Sequence, residues 1–181
     1  MKIMKNRSAS IFLAALLTIL TGSIVTANAS QVIRTNTTNA QKGCLVADTS
    51  KTIAGSGFNI LVSAENCLKW DYDSKSKQYT TMINGKSYCL DVAGIASLDI
   101  PTSKGKGRQV MAWPFCHGKP NQQWFHEGKQ LKAGTYDKGR ENQCLNVDLR
   151  THLKVGGKPA RNVFVGPCTQ KNYDHVTWTI K

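Results

Sequence analysis

Tyr88-Cys89-Leu90-Asp91-Val92-Ala93-Gly94 is the clearest copy of a phrase that the chain writes three times. It returns as Gly43-Cys44-Leu45-Val46-Ala47-Asp48 and as Gln143-Cys144-Leu145-Asn146-Val147-Asp148. A second cysteine answers each copy: Asn66-Cys67, Trp113-Pro114-Phe115-Cys116 and Gly166-Pro167-Cys168. Two of these closings run on to a tryptophan, in Asn121-Gln122-Gln123-Trp124 and in His175-Val176-Thr177-Trp178. Opening cysteines lie 45 and 55 residues apart, and closing ones 49 and 52. Repetition at this period means one structural unit used three times.

A unit used three times should carry its bridge three times. The economical pairing is therefore Cys44–Cys67, Cys89–Cys116 and Cys144–Cys168, each closing a loop worth about 3 kcal/mol on the chain-entropy model. Cysteine-ligated zinc is disfavoured, since no pair has the close C-x-x-C type of spacing. Between the cysteines the text is short strand-like runs: Asn59-Ile60-Leu61-Val62, Gln78 to Ile83, Gln109 to Trp113, Asn162 to Val165 and Val176 to Ile180. Turn signals separate them, among them Asn84-Gly85, Glu127-Gly128 and Gly156-Gly157. No stretch after residue 30 holds a helical apolar period, so the fold class is all-β. Three units of about four strands each can close a small barrel around a pseudo-threefold axis and so hide most sheet edges. The fold expected is a β-trefoil of three disulfide-closed repeats, with the strand ending Trp178-Thr179-Ile180 pairing near the start of the first unit.

The N-terminus reads as an export signal over residues 1–29. Lys2, Lys5 and Arg7 precede an apolar run from Ile11 to Val25, then Ala27-Asn28-Ala29, a cleavage pattern. The run is short for a membrane span, which needs about 20 residues, so no membrane insertion is expected. Residues 30–41 are polar and aperiodic and are expected to form a flexible arm; the domain proper is 42–181. Export to a periplasmic or extracellular, oxidising compartment suits the disulfides. Without the three signal cations, 21 of the 24 Lys and Arg remain against 11 Asp and Glu, a net charge that draws a protein toward anionic surfaces.

Cys89-Leu90-Asp91-Val92, then Trp113-Pro114-Phe115-Cys116, then Asn121-Gln122-Gln123-Trp124 resembles the ricin-type β-trefoil lectins with their QxW repeats. The resemblance spans about residues 42–181 and is best in the middle repeat. It implies a carbohydrate site there. Asp91 would accept hydrogen bonds from two adjacent sugar hydroxyls, and Trp113 would stack on the sugar's apolar face. Asn121 would read one more hydroxyl, Gln122 would brace the site, and Trp124, like Trp178, would pack in the core. In the family such positions bind galactose or N-acetylgalactosamine. Met111 departs from the pattern, standing where galactose-binding members often carry a polar residue. Such trefoils also resemble the cell-binding subunits of bacterial AB-type toxins.

The other two repeats look eroded as sites. Val46 and Asn146 replace the aspartate, Gly166 replaces the aromatic, and His175-Val176 stand where Asn-Gln would. In the first repeat the QxW tryptophan is expected to have become Tyr79, which leaves Trp70 unassigned. The function expected is a secreted lectin for cell-surface glycans, serving as an adhesin or the delivery subunit of a toxin. The alternative is a trefoil that binds heparin-like anionic glycans, or acts as an inhibitor, through its basic surface. No nucleophile elbow, zincin helix or phosphate loop is present, every cysteine is committed, and the four histidines lack metal spacing. No enzyme activity, cofactor, metal or nucleic-acid partner is expected.

Overall fold

Three long hairpins build the barrel. Cys44–Ile53 (β2) pairs with Gly57–Ser63 (β3), Lys86–Val92 (β6) with Gly105–Trp113 (β8), and Gln143–Val147 (β11) with Lys158–Pro167 (β13). Two further short strands, Asp99–Thr102 (β7) and Leu153–Val155 (β12), extend the second and third hairpins at their far ends. This is a computed structural model, and it describes residues 29–36, 43–94, 99–102, 105–134, 143–168 and 177–181. Residues 1–28 of the expected signal peptide, residues 37–41 of the expected arm and the segment His175-Val176 lie outside the described residues. Among those residues, no helix is long and apolar enough to cross a membrane.

The hairpins are joined in a ring. The start of β3 pairs with the end of β8 (Phe58 with Ala112), the start of β8 with β13 (Gln109 with Phe164), and the start of β13 with the end of β3 (Ala160 with Ser63). The registers repeat as well: Cys44 faces Ser63, Cys89 faces Trp113 and Cys144 faces Gly166. All three expected disulfides form, with Cα–Cα distances of 5.4, 5.4 and 5.0 Å. The fold is a β-trefoil.

Three short hairpins cap the barrel. Asp71–Asp73 (β4) pairs with Gln78–Ile83 (β5), and Trp124–Glu127 (β9) with Gln130–Ala133 (β10). The third is made by the two chain ends, Trp178–Ile180 (β14) pairing with Ile33–Thr35 (β1). The terminal strand thus pairs where the repeat pattern places it. The arm expected over residues 30–41 is corrected in its described part. Ile33 is fully buried, Thr35 is buried, and Arg34 pairs with Cys44 as Thr80 does with Cys89 and Lys132 with Cys144. Its polar composition hid a strand whose outward positions face water. Only the alternate residues of such a strand need be apolar.

The same registers reassign Trp70. The backbone N–H of Trp70 donates to Gln31, that of Trp124 to Lys77 and that of Trp178 to Lys129, at 2.7, 2.8 and 2.7 Å. Trp70 is therefore the first repeat's QxW tryptophan. Tyr79 occupies instead the position of Ile33 and Leu131, one strand later. The assignment from sequence failed because the loop before this tryptophan is short. Two residues separate Cys67 from Trp70, where seven separate Cys116 from Trp124. Trp70, Trp124 and Trp178 plug the barrel beside Leu45, Leu90 and Leu145, all buried. Each fully buried side chain of this size contributes about 1.5–3 kcal/mol. The indole N–H of Trp124 donates to the Leu90 carbonyl at 2.9 Å, and that of Trp178 to the Leu145 carbonyl at 2.8 Å. In the first repeat the Leu45 carbonyl is taken by the Leu68 N–H, and the Trp70 indole N–H has no hydrogen-bond partner.

Candidate functional site

The seven-residue connection after Cys116 forms a 3-10 turn at Pro120–Gln122, and this turn inserts Asn121 and Gln122 beneath strand β6. Pro120 suits the first position of such a turn, where its missing N–H leaves no bond unmade. Gln122 is fully buried and is the hub. Its Nε2 donates to Asp91 Oδ2 at 2.7 Å and to the Phe115 carbonyl at 2.8 Å. Its Oε1 accepts from Gln78 Nε2 at 2.9 Å and from the backbone N–H of His117 at 2.9 Å and Gly118 at 3.3 Å. Its hydrogen-bonding capacity is fully used, so its part is to hold others in place.

Asn121 Nδ2 donates to Asp91 Oδ1 at 3.0 Å and to the Val92 carbonyl at 3.1 Å. Two acceptors facing one amide end fix its orientation. Its Oδ1 is then left buried without a hydrogen-bond partner. An orphaned buried acceptor costs roughly 1–3 kcal/mol, and here it sits on a residue that lines a cavity. That cavity has a volume of about 220 Å³ and is walled by Asp91, Met111, Trp113, His117, Asn121 and Ala54, among others. It is smaller than the roughly 300–1,000 Å³ of sites for drug-sized ligands, which suits one small ring.

Asp91 is 4% exposed. Burial pushes its carboxyl up to about 7, against the pull of the Gln122 and Asn121 amides. Each of its oxygens accepts one amide N–H and keeps lone-pair capacity for another donor. The carboxylate can thus take two adjacent hydroxyls at once. His117 Nδ1 accepts the Lys119 backbone N–H at 3.2 Å. This places the ring proton on Nε2, which lies 3.8 Å from Asp91 Oδ2. Burial and Lys119 hold this imidazole below its ordinary range, so His117 offers the cavity a neutral N–H.

Trp113 is partly exposed at the cavity wall. Its room comes from the neighbouring repeat. A Cβ on Gly57 would fall 2.9 Å from Trp113 Cε3 and 3.3 Å from Met111 Sδ. The residue at the equivalent place in the ring is Ala160, which faces the small Ser63. The turn before Gly57 also contributes Ala54, held at a φ of 48°, to the cavity wall.

Asp91, Trp113, Asn121 and Gln122, all expected from the sequence, are therefore brought together, with Gln122 behind the wall. Ala54, Met111 and His117 complete the lining, and the sequence offered no signal for Ala54, since it belongs to another repeat. The two other repeats are filled at the corresponding places. In the first, Val46 and Leu61 pack with Cys44 and Ala160 in an apolar cluster. In the third, a Cβ on Gly166 would meet the ring of Phe164 at 2.9 Å, and Asn146 turns its Nδ2 to the Cys144 carbonyl at 2.7 Å. Among the described residues no group of three or more His, Cys, Asp or Glu could hold a metal ion.

No protein-family model matches the sequence, and no curated protein matches it. Among the solved structures similar to this chain are three lectins. The β-trefoil lectin of the Vibrio vulnificus hemolysin/cytolysin, with N-acetyl-D-lactosamine bound, is 19% identical, with a TM-score of 0.58 over 84% of this chain and 94% of that one. The C-terminal half of the earthworm R-type lectin, in complex with GalNAc, is 10% identical with a TM-score of 0.49, over 84% and 98%. A mutant of the earthworm lectin C-terminal domain, in complex with 6′-sialyllactose, is 13% identical with a TM-score of 0.48, over 84% and 98%. At these identities the likeness is one of fold, and the Vibrio vulnificus structure shares the β-trefoil of this chain.

Proposed function

We propose that this protein is an exported, non-enzymatic carbohydrate-binding trefoil with one working site, in its second repeat. The observation that carries the reading is the Asp91–Asn121 pair at a monosaccharide-sized cavity with Trp113 on its wall. A buried carboxylate with two spare acceptor positions, an amide oxygen without a partner and an indole face together match a pyranose, which offers vicinal hydroxyls on one side and C–H groups on the other. The N-acetyl-D-lactosamine bound by the structurally similar Vibrio vulnificus lectin makes galactose-type ligands the first to test. Met111 differs from galactose-binding members, is buried and lines the cavity. It favours a ligand with an apolar edge at that point.

One small site binds weakly, on the order of mM. Such a lectin gains from presenting several copies to one surface, or from carrying another polypeptide there. Adhesion to glycan-coated cells, or delivery of a toxin subunit, fits that need. The test is a glycan array at physiological and high salt, with wild-type protein beside Asp91→Ala. Salt-tolerant binding to a defined neutral glycan, lost in the variant, supports the reading. Binding only to sulfated or sialylated glycans, lost in salt and kept by the variant, would instead assign function to the basic surface, because exposed charge contacts are screened.

A further inference from the structure

Beyond the cavity, past Trp113, the chain carries Phe115, which is 62% exposed. A single exposed apolar side chain is ordinary; the way this one is held is not. Its carbonyl accepts from Gln122 Nε2, the amide that also holds Asp91. The next residue, Cys116, is bridged to Cys89 at the head of the site strand. The residue after that, His117, donates its backbone N–H to Gln122 Oε1. The Phe115 ring meets that of Trp113 edge-on, with centroids 6.0 Å apart and planes at 62°. Phe115 is therefore a pre-positioned aromatic face standing beside the sugar platform, fixed by the same hub that fixes the site. Pre-positioned aromatics bind with little entropy loss. The cavity itself has room for one ring, so any second residue of a glycan must leave it along the rim.

From this we infer that the ligand is an oligosaccharide of at least two pyranoses: the terminal sugar enters the cavity at Asp91, and the penultimate sugar stacks its apolar face on Phe115. The inference rests on the lectin reading and adds the ligand's size class and the residue that senses it. A protein surface on Phe115 is the competing occupant, and the test separates the two.

The experiment uses the full chain on an array carrying galactose, N-acetylgalactosamine, glucose, mannose and fucose, each as a monosaccharide and as the terminal unit of a β-linked disaccharide. Wild-type, Phe115→Ala and Phe115→Trp proteins are compared. For the terminal sugar that binds, the disaccharide is expected to bind about three- to tenfold tighter than the monosaccharide, the range of one aromatic stacking contact. Phe115→Ala should erase that advantage and leave monosaccharide binding unchanged, and Phe115→Trp should keep it. Equal mono- and disaccharide binding in wild-type protein overturns the inference and leaves the lectin reading intact. An advantage that survives in Phe115→Ala does the same. No binding of any sugar by wild-type protein overturns both.

Discussion

Cys89 faces Trp113 across the second repeat and Cys144 faces Gly166 across the third, in the same register and beside equivalent disulfides. In the second, the residue opposite Asp91 is Met111, which lies back and lines a cavity. In the third, the residue opposite Asn146 is Phe164, whose ring leans over Gly166 and fills the place. In the first, Val46 and Leu61 close an apolar cluster there. Identical scaffolding thus coexists with an open pocket, a ring-filled one and an aliphatic one. The scaffold is set by the cysteines, the leucines and the tryptophans, which all three repeats keep. Openness is set by the pair of residues facing across the hairpin and by the residue that the adjacent repeat supplies.

Four experiments would break or sharpen this contrast. The largest effect is expected on the shared scaffold. Trp124→Ala should cost about 3–5 kcal/mol in chemical denaturation, the range for emptying a buried aromatic site, and Trp70→Ala should cost a similar amount. A small loss for Trp70 would break its equivalence with Trp124. Next comes a change confined to the open repeat. Trp113→Ala should abolish sugar binding by titration calorimetry while lowering stability by no more than about 1 kcal/mol. Gly166→Ala, at the matching place in the third repeat, should leave binding untouched.

The third experiment varies pH. Only ionised Asp91 can accept two hydroxyls, and burial raises its carboxyl to about 7. Affinity should therefore fall about tenfold per pH unit below 7 and level off above it, with proton release on binding near neutrality. The effect on folding has the opposite sign. A carboxyl raised in the fold contributes stability that is fully present below its unfolded value of 3.8 and is lost as pH rises through about 7. The melting temperature of wild-type protein should drop over that window relative to Asp91→Leu, and a flat difference would overturn the assignment. The smallest effect is expected from Trp70→Phe, which removes an indole N–H that has no partner. It should cost less than Trp124→Phe by about 1 kcal/mol, the value of one hydrogen bond.

Much of this was legible in the chain. The cysteine phrases determined the disulfides, the threefold order and the terminal strand pairing, because a repeat states its constraint three times. Asp91, Trp113, Asn121 and Gln122 were legible through the resemblance of the middle repeat to the ricin-type pattern, in which they stand at set places around two cysteines. Two features stayed hidden for physical reasons. Trp70 follows a loop shortened by five residues, so its spacing no longer matched its partners. The strand at Ile33–Thr35 has two inward residues and no cysteine, too little periodicity to separate from a polar arm. The contributions of Gly57 and Ala54 to the site were beyond any reading of the second repeat alone, since they cross from the first.

The cap hairpin made by β1 and β14 sets the order in which the molecule can be completed. Ile33 and Ile180, its paired residues, are nearly the full length of the domain apart in sequence. Contacts of such separation slow folding, and this one closes only once the last strand has been synthesised. Until β14 is in place, β1 of the first repeat lacks its partner on that side and the barrel lacks the Trp178 plug. The first and last strands of the domain thus act as a clasp, each completing the sheet edge of the other.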